Sequence, residues 1–396
     1  MDVENFLKSL KRGETAERLA DPGAAREIVV DRKTGVARQA GATTPEGKFV
    51  TRFKQNAERS LYAFSKGVLK QDWLTPTLHK PICDWLIHTP PRRKLLLLSR
   101  EHGKTSLVSH SLPLHILMQP AESNIYIPGM DGALCRILLA CETEGRALDH
   151  MRVLQSHLMN NEILRAFWPH RVWDNPRKEA GKWTEREMIL PRTHEYPDPS
   201  IRGIGVGGAI TGAHPNVLIK DDLCTLDAAN SPPLMKTVID WHVASRALIA
   251  GQSDAVEWII GTLWSANDLY AYVKVNDPTV EVLSMGCWAD QAQSIPVYPE
   301  KFSRETLNEL QRQYGPLFSL LYLNDPTDTS LVDFNTDYLR EYQVEDGFVL
   351  FDTDERDIRL RNKMSSPDHD PIEDVHSLRD LFDGTDHRRE YFRLRS

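Results

Sequence analysis

The residues with the clearest chemical potential lie between Lys94 and Thr105, in the segment KLLLLSREHGKT. An apolar run typical of a buried strand leads directly into a loop that ends in Gly103, Lys104 and Thr105. Such a loop, placed before a helix, directs backbone N–H groups and the positive end of the helix dipole at an anion. The pattern predicts a nucleotide triphosphate site in which Lys104 neutralises the β- and γ-phosphates and Thr105 ligates Mg²⁺.

The loop departs from the usual phosphate-binding form at two positions. Leu98 stands where the usual loop begins with glycine, and Arg100 occupies a position where a small residue would be expected. Because a Gly-Lys-Thr tripeptide alone is weak evidence, the interpretation needs further motifs. We expect the nucleotide to be contacted by the loop residues Ser99, Arg100, Glu101, His102, Gly103, Lys104, Thr105 and Ser106.

A second apolar strand, Val217 to Ile219, leads through Lys220 into two aspartates. In phosphate-loop enzymes the carboxylate at the end of this strand holds Mg²⁺, and a following carboxylate can deprotonate the attacking water. We assign Asp221 to the metal and Asp222 to the water, although the two roles could be exchanged. The alternative is that both residues open a solvated turn after a core strand.

A third strand is predicted over Trp258 to Ile260, with Gly261 and Thr262 at its polar end. Ligands of open α/β sheets collect at the carboxyl ends of parallel strands. Thr262 would therefore lie where the γ-phosphate is sensed. An ordinary exit from strand to loop explains this piece equally well when it is considered alone.

Together, these motifs resemble the large subunit of tailed-phage terminases, the ATP-driven motors that package DNA into a procapsid. The resemblance runs from about Leu61 to Tyr342, and an arginine-containing loop is characteristic of the family. It is carried by WLTPTLHKPICDWL (Trp73 to Leu86), SREHGKTS (Ser99 to Ser106), SIRGIGVGGAITGAHPNVLIKDD (Ser200 to Asp222), IIGTLW (Ile259 to Trp264), YGPLFSLLYLNDP (Tyr314 to Pro326) and FNTDYLREY (Phe334 to Tyr342).

The resemblance implies an α/β phosphate-loop NTPase with a mainly parallel central sheet flanked by helices, plus added antiparallel strands. Its cofactors would be ATP and Mg²⁺, bound by Lys104 and Thr105. Gly261 and Thr262 would couple hydrolysis to movement, and Arg100 would sense phosphate or stabilise the transition state. Trp73 to Leu86 would lie on the adenine side, where His79 could contact adenine or frame its pocket, or could simply pack in a helix.

The implied partners are double-stranded DNA, the portal protein and procapsid, a small terminase subunit and further copies in a homo-oligomeric ring. The implied location is the cytoplasm of the infected host cell and, transiently, the procapsid portal. A DNA helicase or repair-type ATPase is the first alternative. A structural nucleotide-binding subunit with slow hydrolysis is another.

Composition agrees with a soluble intracellular protein that does not use a membrane. The 396 residues are 41% hydrophobic, and no run approaches the roughly 18 apolar residues that span a bilayer. Five cysteines without metal-ligand spacing predict reduced thiols and no zinc. The net charge of −8 opposes binding to the negatively charged phosphates of DNA. A local basic patch would therefore be needed, and Arg92 to Lys94 is one candidate.

Three regions are expected along the chain. Residues 1–60 are predicted to be a polar arm or cap, residues 61–330 the ATPase domain, and residues 331–396 a linker and tail. Terminases usually continue into a nuclease, but only 42 residues follow Asp354. Asp352 and Asp354 are therefore interpreted as a polar strand end, and no complete nuclease is expected in this chain.

Between the motifs, the pattern predicts a helix over Ser106 to Met118, a short strand over Asn124 to Ile127 and a helix over Gly132 to His150. It also predicts an antiparallel strand over Trp183 to Leu190 and a hairpin-like approach over Gly203 to Gly212. An arginine that acts on a neighbouring subunit's nucleotide is expected. The candidates are Arg136, Arg146, Arg152, Arg192 and Arg246.

Overall fold

The fold is given by a computed structural model that describes residues 50–88, 90, 92–249 and 254–326 with their side chains. It also gives the backbone of residues 28–30, 37–39, 45–49, 342–345, 348–351 and 391–393. The chain divides into two units, residues 1–328 and 329–396. Asp352 and Asp354 lie outside the described residues.

The described strands are β1 (Ile28–Val30), β2 (Ala37–Gln39), β3 (Arg93–Leu98), β4 (Ile137–Cys141), β5 (Glu187–Met188), β6 (Ile201–Gly205), β7 (Val217–Asp221), β8 (Val256–Gly261), β9 (Glu281–Met285), β10 (Tyr342–Glu345), β11 (Phe348–Phe351) and β12 (Tyr391–Arg393). The described α-helices are α1 (Pro45–Arg59), α2 (Leu61–Ala63), α3 (His79–Ile87), α4 (Leu112–Met118), α5 (Glu144–Asn160), α6 (Glu162–Phe167), α7 (Pro176–Glu179), α8 (Leu226–Ala229), α9 (Pro232–Arg246), α10 (Leu269–Asn276) and α11 (Arg304–Tyr314). Wider π-helical turns cover Phe64–Val68, Ser106–Ser111 and Ser319–Leu323, and 3₁₀ turns cover Ala121–Ser123, Gly132–Leu134 and Pro169–Arg171.

The main sheet has seven strands in the order β5-β6-β4-β7-β8-β3-β9. All neighbouring strands are parallel except β5, which pairs with β6 in the antiparallel direction. Separate antiparallel pairings join β1 to β2 and β10 to β11 to β12. The fold class predicted from the sequence, a mainly parallel sheet with added antiparallel strands, is confirmed.

Helices cover both faces of this sheet, because its strands are apolar on both sides. Along β3, Leu96 and Leu98 pack into one hydrophobic cluster and Leu95 and Leu97 into another. This alternation is the period of a strand, and burial of every position is typical of a parallel sheet between two helical layers. Among the described residues, no helix has the length and apolarity needed to cross a bilayer.

The predicted helix over Gly132 to His150 is wrong. The segment contains the 3₁₀ turn Gly132–Leu134, then β4, and α5 begins only at Glu144. The run ILLAC is buried at every position, and such a short apolar run fits a central strand as well as a buried helix. Its placement between β6 and β7 decides in favour of the strand.

Two shorter predictions are also wrong. Asn124 to Ile127 is a turn, in which Asn124 Oδ1 accepts the N–H groups of Tyr126 and Ile127 at 2.9 Å each. Side-chain capping by asparagine competes with strand pairing in this way. The expected hairpin from Gly203 begins instead as β6, a parallel strand beside β4.

A cluster of charged side chains is buried beside the sheet. Lys220 Nζ donates to Glu257 Oε1 at 2.6 Å and lies 3.0 Å from His242 Nδ1, and both charged side chains are fully buried. Arg93 Nε donates to Glu257 Oε2 at 2.7 Å. Burial alone would raise the pKa of Glu257, but Lys220 and Arg93 outweigh burial and lower that pKa to about 2.

We expect Glu257→Gln to lower the free energy of unfolding by about 3 kcal/mol or more at pH 7, because it leaves a buried ammonium without its carboxylate. The difference from wild type should shrink as the pH falls from the ordinary 4.5 of glutamate towards 2, since Glu257 of the unfolded chain gains its proton in this range while the folded carboxylate stays ionised. Urea unfolding across this range measures both effects. Asp240→Asn is the control, because it removes the exposed Lys236–Asp240 pair, which should contribute less than about 1 kcal/mol. Equal losses in the two variants would contradict the prediction.

Candidate active site

The carboxyl ends of four neighbouring strands meet at one cleft. β4, β7, β8 and β3 are adjacent in that order, and Asp221 at the end of β7 lies between Cys141 of β4 and Ile260 of β8. The cleft has a volume of about 970 Å³, which is sufficient for a nucleotide. Its lining includes Arg100, Lys104, Thr105, Glu142, Arg146, His150, Asp221, Asp222 and Thr262.

The loop that follows β3 is held from behind by the turn Ser319–Leu323. Ser99 Oγ donates to the Tyr322 carbonyl at 2.5 Å, and the Arg100 N–H donates to the Leu321 carbonyl at 2.8 Å. Ser99 is buried, so its hydroxyl points into the protein. These two bonds fix the start of the loop, while the Arg100 side chain is exposed at the cleft.

The middle of the loop has an unusual backbone. Glu101 and Gly103 have φ angles of 63° and 83°, in the left-handed region that a non-glycine residue rarely occupies. A Cβ at position 103 would lie 2.6 Å from the Trp73 ring, so the close approach of this ring also requires glycine. The chain thereby turns sharply before Lys104.

This turn presents backbone donors to the cleft. Helical structure begins at Lys104 and continues through the π-helical turn Ser106–Ser111 into α4. The N–H groups of Gly103, Lys104 and Thr105 lie at the start of this helical stretch, before the bond from the Leu107 N–H to the Gly103 carbonyl at 3.0 Å. Unpaired N–H groups at a helix start, together with the helix dipole, form an anion site.

Lys104 lies at the centre of the polar groups. Its side chain is largely buried, and its Nζ donates to Thr262 Oγ1 at 2.6 Å and lies 4.0 Å from Asp222 Oδ2. These contacts join the loop after β3 to the ends of β7 and β8. The ammonium is therefore held where phosphate oxygens would enter the cleft.

Asp221 is surrounded by polar side chains. Ser109 Oγ donates to its Oδ2 at 2.5 Å, His150 Nε2 lies 3.2 Å from the same oxygen, and the Thr105 hydroxyl lies 3.5 Å from Oδ1. Burial, and then the neighbouring charge of Asp222, raise the pKa of Asp221 to about 7. A cation beside this carboxylate would stabilise its ionised form and so lower its pKa.

The residues present fit a magnesium ion. A buried carboxylate and the Thr105 hydroxyl offer oxygen ligands, and Mg²⁺ normally takes one or two protein carboxylates while keeping water and phosphate ligands. Among the described residues, no group of three or more His, Cys, Asp or Glu side chains forms a ready metal cage. Asp221 and Thr105 would thus hold the ion together with the nucleotide.

Asp222 is in a strained and partly open position. Its φ is 45°, its N–H donates to the Ile260 carbonyl at 3.0 Å, and its side chain is 46% exposed. Among the described residues, its Oδ1 atom is buried without a hydrogen-bond partner. Left-handed backbone is tolerated by aspartate but remains costly for non-glycine residues, and such strain concentrates at functional sites.

Three residues expected to contact the nucleotide lie beneath the cleft. Ser99, His102 and His79 are almost wholly buried. The His102 ring stacks on Phe302 at 5.2 Å. His79 Nδ1 accepts the Thr75 N–H at 2.9 Å. These side chains support the loop from behind, and their contact with a nucleotide stays a prediction.

Gly261 likewise has a packing role in this structure. A Cβ at this position would lie 2.0 Å from the Tyr270 ring, so glycine lets the tyrosine pack against the end of β8. Thr262, the next residue, lines the cleft. Coupling of hydrolysis to movement by these two residues stays a prediction.

Three further residues line the cleft. Glu142, Arg146 and His150 come from the connection between β4 and the first turns of α5. Sequence reasoning named Arg146 only as a candidate for an arginine acting between subunits, and it missed Glu142 and His150 because that segment was assigned to one continuous helix. The apolar run ILLAC followed by Thr143 as a helix cap was the available signal, since Thr143 accepts the Arg146 N–H at the start of α5.

Arg146 and Arg136 lie at different distances from the cleft. Arg146 is exposed and lines the cleft. Arg136 precedes β4, at the opposite edge of the sheet, where its Nε donates to the His214 carbonyl at 2.7 Å and its guanidinium lies over the Tyr196 ring. Arg136 therefore does not reach the cleft of its own chain.

Comparisons with protein-family models and with curated proteins give no match. Among solved structures, the chain is similar to the ATPase domain of the Thermus phage P74-26 large terminase, with 16% identity and a TM-score of 0.37 over 59% of this chain and 88% of that one. A mutant of that domain gives 16% identity and a TM-score of 0.38 over 61% and 90%. The HK97 bacteriophage large terminase gives 14% identity and a TM-score of 0.41 over 70% of this chain and 59% of that one.

TM-scores below 0.5 carry no argument about function, so the comparisons add none to the geometry of the cleft. The fold class rests on the chain's own strand order and direction. These three solved structures are large terminases of bacteriophages.

Proposed function

We propose that this chain is the ATP-hydrolysing motor subunit of a viral terminase that translocates double-stranded DNA into a procapsid. The observation that carries the proposal is the position of the Lys104 ammonium. It lies 2.6 Å from Thr262 Oγ1 and 4.0 Å from Asp222 Oδ2. A phosphoryl-transfer site needs a cation that binds phosphate, a polar group that senses it and a carboxylate base. Here the segments that follow β3, β8 and β7 supply these three groups. The terminase assignment comes from the motif order in the sequence.

In the proposed reaction, the N–H groups of Gly103, Lys104 and Thr105 receive the phosphates and the Lys104 ammonium neutralises their charge. The partly exposed Asp222 carboxylate accepts a proton from the attacking water. Arg100 is exposed at the cleft and would stabilise charge that develops on the γ-phosphate. When bound at Asp221 and Thr105, Mg²⁺ would withdraw charge from the phosphate oxygens.

The proposed partners are double-stranded DNA, the portal protein on a procapsid, a small terminase subunit and further copies of this chain in a ring. The proposed setting is the host cytoplasm and, transiently, the portal. Arg146 is exposed at the cleft, which suits contact with a nucleotide in the same chain. We therefore retain Arg152 and Arg246, whose side chains are 52% and 35% exposed, as candidates for an arginine acting between subunits. The Arg192 side chain is only 2% exposed and donates to the Asp198 and Tyr196 carbonyls of its own chain.

ATP hydrolysis by the purified chain, measured with and without portal-bearing procapsids, tests the function. Stimulation by procapsids supports a packaging motor. Separation of a labelled DNA duplex, without a response to procapsids, would support a helicase. Slow hydrolysis that responds to neither would support a structural nucleotide-binding subunit.

We further propose that residues 61–330 form the ATPase domain, between an arm or cap at 1–60 and a linker and tail at 331–396. We expect no cleavage when the purified chain is incubated with supercoiled plasmid and Mn²⁺, because a two-metal nuclease needs several carboxylates at one sheet edge. Agarose electrophoresis is the measurement, and a known Mn²⁺-dependent nuclease is the positive control. Metal-dependent nicking by this chain, abolished by a substitution at Asp352, would refute the expectation.

A further inference from the structure

Two histidines stand behind Asp221 in a chain of close polar contacts. His150 Nε2 lies 3.2 Å from Asp221 Oδ2, and His150 Nδ1 lies 3.0 Å from His110 Nε2. His110 belongs to the turn Ser106–Ser111 and His150 to α5. The pair therefore connects the helix after the loop, the end of β7 and the segment that follows β4.

The direction of these contacts follows from the chemistry of the groups. Asp221 must be ionised to bind a cation, and an ionised carboxylate can only accept, so the group that donates to Oδ2 is the Nε2–H of His150. His150 Nδ1 then accepts from the Nε2–H of His110, so the second ring fixes the tautomer of the first.

This arrangement treats the two oxygens of Asp221 differently. Oδ2 accepts a hydrogen bond from the Ser109 hydroxyl at 2.5 Å and lies 3.2 Å from His150 Nε2. Among the described residues, Oδ1 has only the long contact of 3.5 Å to the Thr105 hydroxyl. Oδ1 is therefore the oxygen that is available to a cation beside Thr105.

We infer that His150, supported by His110, is a positioning residue that holds the Asp221 carboxylate in the orientation needed to bind Mg²⁺ with the nucleotide. The inference rests on the proposed function, because it requires a Mg²⁺–nucleotide complex in this cleft. Partners that orient a metal ligand typically change metal affinity by about 10- to 100-fold. His150 should accordingly affect the metal dependence of nucleotide binding more than binding without metal.

The test uses the full chain and a fluorescent ATP analogue, N-methylanthraniloyl-ATP, titrated with Mg²⁺. We expect His150→Leu to raise the Mg²⁺ concentration for half-maximal binding about 10-fold, with unchanged binding in EDTA. His150→Gln should be closer to wild type, because its amide N–H can replace the ring donor. The electron paramagnetic resonance signal of free Mn²⁺ in the presence of ATP should show the same order of affinities.

His157→Leu is the matched control, because His157 lies on the same helix and contacts Asn161 instead of Asp221. It should leave the Mg²⁺ dependence unchanged. His110→Leu provides a second test if His150→Leu does not fold, and a smaller shift in the same direction is expected. Wild-type Mg²⁺ dependence in the folded His150 and His110 variants would overturn the inference and leave the proposed function intact. Failure of the wild-type chain to bind the analogue would overturn both.

Discussion

Lys104→Ala is expected to abolish measurable ATP turnover, with a loss of about 10³-fold or more. The substitution removes the largely buried ammonium that lies between Thr262 and Asp222. Preorganised charge in a site of low water content is worth far more than in solution, and removal of even one neutral oxyanion donor costs about 10²- to 10³-fold. A coupled assay of ADP release, with thermal unfolding to verify the fold, measures the effect.

Lys301→Ala is the matched control for Lys104. Lys301 also lines the cleft, but it is half-exposed and its Nζ pairs with Glu101 at 2.9 Å. Its removal should change turnover little, since exposed pairs contribute little. Similar losses in the two variants would mean that general positive charge, and not the position of Lys104, supports hydrolysis.

Asp222→Asn is expected to retain ATP binding and lose hydrolysis by about 10²- to 10⁴-fold, the usual contribution of a positioned general base. Asparagine preserves the size of the side chain and tolerates the φ of 45° at this position. It cannot accept the proton of the attacking water. Nucleotide binding by fluorescence and single-turnover hydrolysis separate the two effects.

Glu142→Gln is the control for Asp222, because Glu142 is a second carboxylate lining the cleft and follows the neighbouring strand β4. Its turnover should stay near that of wild type. Normal turnover in Asp222→Asn would refute the assignment of the base. A large loss in Glu142→Gln alone would transfer that role to Glu142.

The structure favours one of the two orders that the sequence left open for the paired aspartates. Asp221 faces Thr105 and Ser109 on the helix after the loop. Asp222 instead has an unpartnered oxygen and an exposed side chain. Asp222 follows the last residue of β7 and has a φ of 45°, so its direction depends on a turn that the sequence alone does not specify. The assignment stays a prediction until the variants are measured.

Local sequence determined the strands after which the polar residues lie. The apolar runs of β3, β7 and β8 are each followed within a few residues by Lys104, Asp221 or Thr262. Hydrophobic burial and turn chemistry act over short stretches of chain, so these features can be predicted without knowledge of the partners. The mainly parallel sheet, by contrast, is implied by the resemblance to the large subunit of tailed-phage terminases.

Only the tertiary structure decided which side chains share the cleft. His150 meets Asp221 across 71 positions of sequence, and Lys104 meets Thr262 across 158. Such contacts depend on the order of strands in the sheet and on which face each helix covers. The same packing buried Ser99, His102 and His79 beneath the loop, because a side chain adjacent to a site in sequence can still point into the core. Residue types and local spacing therefore predicted the chemistry, whereas long-range packing selected the residues positioned to perform it.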